Sequence, residues 1–111
     1  MRLLNTRNGC FKEFSHPFGY AILSHRWGKD EVSYEDYCLA IEPAKNLSKR
    51  EAIRVRDIIR RSGYAKIYRS CDLAREQGHK YLWIDTCCID KRSSTELSEA
   101  INSMWEWYTR A

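Results

Sequence analysis

Two short apolar runs stand out along the chain, Tyr20-Ala21-Ile22-Leu23 and Tyr81-Leu82-Trp83-Ile84, each ended abruptly by polar residues. Runs of this length and kind predict strands buried on both faces. Leu3-Leu4 predicts a short opening strand, and the stretches Asn8-Gly9 and His16-Pro17-Phe18-Gly19 carry turn chemistry. Between the two runs the apolar period becomes helical. Ser33-x-x-Asp36 starts a short helix with Tyr34, Tyr37, Cys38 and Ile41 on one face, ending before Pro43. Ser48-x-x-Glu51 is a cleaner capping box and opens a helix from Lys49 to about Arg61, with Ala52, Val55, Ile58 and Ile59 on one side, the arginines mostly on the other, and Gly63 as its stop. Tyr64, Ile67, Cys71 and Ala74 then recur at helical spacing up to Gly78, which predicts a third helix over 64–77.

Strand, helices, strand predicts a parallel crossover and an α/β fold. After the second run, Ser93-x-x-Glu96 caps a last helix with a stripe of Leu97, Ile101, Met104 and Tyr108. Two strands cannot cover so large an apolar helix face, so the domain is expected to continue past Ala111 and the sheet to be partial.

With 111 residues, one domain is the limit, and 43% hydrophobic residues suffice for a modest core. A mean hydropathy of -0.64 and the lack of any apolar run near the roughly 20 residues of a membrane span exclude an integral membrane protein. Met1 to Arg7 turns polar too soon for a signal peptide, so a cytoplasmic address is expected. The five cysteines, Cys10, Cys38, Cys71, Cys87 and Cys88, form no C-x-x-C pair and read as free thiols in or near the core. A zinc site from Cys87, Cys88 and one of His16, His25 or His79 lacks the usual ligand spacing, and no metal is expected.

The formal charge of +4 comes largely from Lys45 to Arg61. No aromatic residue interleaves with these cations, so the segment reads as a solvated helix face rather than a nucleic-acid or acidic-lipid surface.

Chemistry in an open parallel sheet is sought outside the carboxyl ends of the strands. Here those ends are Ser24-His25 and Asp85-Thr86. One reading is a small crevice for a phosphate- or ribose-bearing ligand, with Ser24, His25, Asp85 and Thr86 as hydrogen-bonding groups and Trp27 as a stacking face. The other is that Asp85 and Asp90 organise the turn by Asx-type hydrogen bonds and that Trp27 packs a loop. No phosphate-cradling glycine loop is present. A Cys87 or Cys88 nucleophile would need an adjacent base, and Glu96 and Glu99, though spaced like a carboxylate pair, fall on the opening turns of a helix where capping explains them.

Taken together, Met1-Arg2-Leu3-Leu4-Asn5-Thr6, Tyr20 to Gly28, Asp30-Glu31-Val32-Ser33-Tyr34, Gly63-Tyr64-Ala65-Lys66-Ile67 and above all Tyr81-Leu82-Trp83-Ile84-Asp85-Thr86-Cys87-Cys88-Ile89-Asp90-Lys91, followed by Ser94 to Met104, resemble the HET domain of fungal heterokaryon-incompatibility proteins. Residues 41–62, with the basic helix, look like an insertion relative to that pattern, and Arg26 stands where Thr is usual. The resemblance makes Cys87, Cys88, Asp90, Lys91, Glu96 and Glu99 family-motif residues. It implies the N-terminal part of a single cytoplasmic domain that triggers programmed cell death in self/non-self recognition. Its partners would be other copies of the domain or cell-death signalling proteins, with attached nucleotide-binding and repeat domains in full-length relatives. A remote similarity to TIR domains implies a flavodoxin-like sheet and, in a complete domain, NAD as a substrate, with the catalytic glutamate beyond Ala111. The alternative reading is therefore a fragment of an NAD-cleaving hydrolase.

Overall fold

A computed structural model of the chain describes residues 1–23, 28–41 and 46–101. Its four strands are β1 (Arg2–Asn5), β2 (Phe11–Glu13), β3 (Ala21–Ile22) and β4 (Tyr81–Trp83), in the sheet order β2-β1-β4-β3. The helices are α1 (Tyr34–Ile41), α2 (Lys49–Arg60), α3 (Ser62–Glu76) and α4, described over residues 94–101.

Position in the sheet decides what each strand buries. β1 and β4 are the inner strands, and consecutive residues of both are buried, Leu3 and Leu4 on one and Leu82 and Trp83 on the other. An inner strand covered on both faces has no solvent side, so it needs apolar residues at successive positions. β3 pairs with β4 in parallel, Ala21 opposite Leu82 and Ile22 opposite Trp83. Among the described residues it is nevertheless the last strand on its side of the sheet, and Ile22 is 43% exposed, so the expectation of a strand buried on both faces fails for it.

The sheet is mixed rather than wholly parallel. The Asn8-Gly9 turn folds β2 back on β1, and β1 enters antiparallel to β4, with Leu4 opposite Leu82. Gly9 has φ 71° and donates its amide to the Asn5 carbonyl at 2.8 Å. An added Cβ there would also lie 2.9 Å from the Tyr37 hydroxyl, which donates to the Gly9 carbonyl at 2.6 Å.

The capping box of α2 is complete: the Glu51 amide donates to Ser48 Oγ at 3.1 Å, and the Ser48 amide donates to Glu51 Oε1 at 3.3 Å. Ile58 is fully buried while Ile59 is half exposed, so the apolar side of this helix is narrower than its sequence suggests. α3 buries Ile67, Cys71 and Ala74 as its spacing predicts, and Gly78, at φ 87°, follows its end.

Gly63 is a correction. It lies inside the first turn of α3, and the extended backbone of Arg61 (ψ 144°) ends α2 instead. The Gly63 amide donates to the Asp30 carbonyl at 3.0 Å, and a Cβ at this position would stand 2.7 Å from Glu31 Cα. The glycine is there because two backbones touch.

The core is a single cluster drawn from all these elements and includes Cys71, Cys87 and Cys88. These three thiols fill space as expected; Cys10 is exposed and all five cysteines are free. From the last helix, Leu97 and Ala100 pack on the cluster, while Ile101 is 53% exposed; Met104 and Tyr108 lie outside the described residues. Among the described residues no helix is long and apolar enough to cross a membrane.

Candidate functional site

The Leu23 amide donates to the Trp83 carbonyl at 3.0 Å, so β3 and β4 end side by side. Ser24, His25 and Trp27 lie outside the described residues. The other half of the expected crevice is the turn that follows β4. Asp85 is half-buried, and Thr86, Cys87, Cys88 and Ile89 after it are buried.

This turn is tightly wired. The Cys88 amide donates to the Ile84 carbonyl at 2.9 Å, and the Ile84 amide in turn points at Cys88 Sγ, 3.3 Å away. Burial pushes the Cys87 thiol well above its ordinary range, reinforced by a hydrogen bond with Cys88. Burial likewise pushes Cys71 up to about 11. A thiol held neutral in an apolar interior is a poor nucleophile, which removes Cys87 from that role.

Asp90 behaves as the turn-organising reading expects: its Oδ1 accepts the Arg92 amide at 3.1 Å, an Asx-type turn, and its carboxylate also receives the Arg92 guanidinium at 2.9 and 3.0 Å. The hydrogen bonds from Arg92 hold its carboxyl below the usual range. Glu96 and Glu99 have different surroundings. The Glu96 amide donates to Ser93 Oγ at 3.2 Å, half of a capping box. Its carboxylate does not return to Ser93 but accepts the Asp90 amide at 3.0 Å and an ion pair from Arg2. Glu99 is exposed. Lys91 is exposed, and desolvation lowers its ammonium pKa against the opposing pull of Asp85 and Cys87.

Arg2 belongs to the opening block of the resemblance, but no sequence pattern gave it a role. It donates to the Cys88 carbonyl at 3.1 Å, pairs with Glu13 at 3.1 Å and with Glu96, and lies 4.0 Å from the centroid of the Tyr34 ring. Burial alone would lower its pKa; Glu96, Glu13 and Tyr34 outweigh burial and raise it. Its position opposite Glu13 depends on the β1–β2 register, which no local spacing reveals.

A second ionic centre is Asp36, buried in the first turn of α1. Arg54 donates to it at 2.6 and 3.1 Å and Arg61 at 2.8 Å. Burial works against ionisation here, but the two guanidinium groups overcome it and hold the carboxyl below its usual range. At the opposite end of the sheet, a groove of about 530 Å³ lies between the 6–9 turn and α3, lined by Tyr37, Tyr64, Tyr68, Arg7 and Arg75 among others. Among the described residues no three His, Cys, Asp or Glu side chains are grouped as a metal site.

Among the described residues the geometry defines an α/β unit with a mixed four-stranded sheet and a largely buried turn after β4. The family model for heterokaryon incompatibility protein (HET) matches residues 20–111. The chain is also 48% identical over 94 residues to the vegetative incompatibility protein HET-E-1 of Podospora anserina, a match spanning 83% of this chain and 6% of that protein. The chain belongs to the HET family. No solved structure matches it.

Proposed function

We propose that the chain is a heterokaryon-incompatibility signalling module that acts by association, with other copies or with cell-death signalling proteins, to trigger programmed death. Its family supplies the incompatibility context. The observation that favours association over catalysis is the disposition of the turn after β4. Thr86, Cys87, Cys88 and Ile89 are buried, the Asp90 carboxylate is taken up by Arg92, and that of Glu96 by Arg2 and the Asp90 amide. Among the described residues of the turn, the carboxylates of Asp90 and Glu96 are thus engaged within the chain. A rigid turn with satisfied polar groups instead provides a stable surface.

The alternative of an NAD-cleaving hydrolase, of which this is a piece, draws on the side-by-side ends of β3 and β4 and on half-buried Asp85 shortly after β4. One pair of measurements separates the two. Induced expression of residues 1–111 in a filamentous fungus should kill hyphae, and the purified chain should release no nicotinamide from NAD. Survival of hyphae that accumulate folded chain contradicts the signalling proposal; nicotinamide release that disappears in Asp85→Asn supports the hydrolase instead.

A further inference from the structure

Tertiary structure divides the cations of the basic segment into two sets. Arg54 and Arg61 turn inward and are neutralised by Asp36, with Arg61 also pairing with Asp57 at 2.8 Å. Lys49, Arg50, Arg56 and Arg60 are exposed, and among the described residues none of them forms an ion pair. The acids of the same helix cannot serve them, since Glu51 is committed to the capping box and Asp57 to Arg61. These four charges equal the whole formal excess of the chain, +4.

Their arrangement is specific. Lys49, Ile53, Arg56 and Arg60 follow i, i+4, i+7 and i+11 and so form one stripe on the outer side of α2, about 16 Å long at 1.5 Å per residue. Arg50 flanks it. In the middle of the stripe Ile53 is 67% exposed, an aliphatic side chain among unpaired cations.

We infer that this outer face of α2 is a docking surface for a bilayer bearing anionic headgroups. Charge complementarity selects an anionic occupant, and a second copy of this chain offers its exposed acids outside ion pairs, among the described residues, only singly on separate elements, such as Asp30, Glu76 and Glu99, with no acidic patch to match the stripe. Ile53 separates a bilayer from nucleic acid. An aliphatic side chain gains by entering the headgroup boundary, whereas a phosphate backbone has no use for it, and a nucleic-acid surface would carry aromatic rings between the cations. The absence of such rings in the sequence argued for a plain solvated face; the unpaired stripe around an exposed isoleucine revises that expectation.

Cosedimentation of the purified chain with phosphatidylcholine vesicles, with and without phosphatidylserine, tests the inference. Each cation near an anionic surface strengthens binding about fivefold. Binding should therefore require phosphatidylserine, fall with added salt, and weaken about 25-fold in the Arg56→Ala/Arg60→Ala double variant. Ile53→Ser should weaken it by about threefold to tenfold while leaving the salt dependence intact. Unchanged far-ultraviolet circular dichroism identifies variants that remain folded, and the lipid and salt comparisons on the unmodified chain need no variant. Equal binding to both vesicle types, no binding to either, or tighter binding to random single-stranded RNA than to phosphatidylserine vesicles would each overturn it.

Discussion

Replacing Gly63 by alanine sets two effects of opposite sign against each other. Helix propensity favours the change, by up to about 1 kcal/mol at an interior position and less in the first turn, where Gly63 sits. Against it stands the approach of α3 to the 30–31 backbone. The new Cβ would lie 2.7 Å from Glu31 Cα and 3.1 Å from Glu31 C, where ordinary contact is near 3.6 Å, and neither neighbour is a flexible side-chain end. The loop cannot yield freely, because Lys66 holds Glu31 at 2.8 Å and Val32, the next residue, is fully buried. Overpacking of this kind costs about 1–3 kcal/mol, and moving the segment also strains the Gly63 amide bond to the Asp30 carbonyl, worth about 1 kcal/mol. The clash wins, and the expected net loss is about 1–3 kcal/mol. For a domain of this size that lowers Tm by roughly 4–8 °C per kcal/mol. Thermal unfolding followed by circular dichroism, checked by denaturant titration, measures it. A Gly63→Ala chain as stable as the parent, or more so, would refute the close-approach account and restore the view of Gly63 as a mere punctuation residue.

Three further outcomes follow from the ionic and thiol groups. Asp36 titrates below its usual range in the folded state, so its contribution is fully present above the unfolded carboxylate value of about 3.9 and is lost as pH falls through the lower folded value; Asp36→Asn should remove that part of the acid-side slope of stability and cost about 1–3 kcal/mol at neutral pH, read by denaturant titration across the acid range. Alkylation of the folded chain should be fastest at exposed Cys10 and very slow at Cys71, Cys87 and Cys88 until denaturant is added, and rapid native-state labelling of Cys87 by peptide mass mapping would contradict its burial. Arg2→Ala should destabilise by about 1–3 kcal/mol because the Cys88 carbonyl and the Glu96 carboxylate lose their shared donor, and Glu96→Gln, which keeps an acceptor for the Asp90 amide, should cost less.

Much was legible in the chain because it rests on local rules. A serine three residues before a glutamate sets the start of α2 whatever packs around it, and the 3.6-residue recurrence of Ile67, Cys71 and Ala74 marks the buried side of α3 directly. The run Leu82-Trp83-Ile84 announces a strand, and the order of strands and helices announces the parallel pairing of β3 with β4. The Asx turn at Asp90 was likewise available from residue type alone.

What tertiary structure alone decided depends on partners distant in sequence. An apolar run cannot say whether it will be an inner or an edge strand, and Ile22 is left 43% exposed because, among the described residues, no strand lies beyond β3. Gly63 looks like a helix stop until the 30–31 segment arrives against it. Arg2 gains its meaning from residues 86 and 94 positions away, and Glu96 is diverted from its own cap toward them. The basic helix carries the same cations in sequence as in space, but only the burial of Asp36 divides them into a neutralised inner pair and an unpaired outer stripe. Local chemistry fixes where elements begin and which side faces inward, since it acts over a turn or two; which charges cancel and which glycine touches a backbone are set by contacts that exist only once the chain has folded.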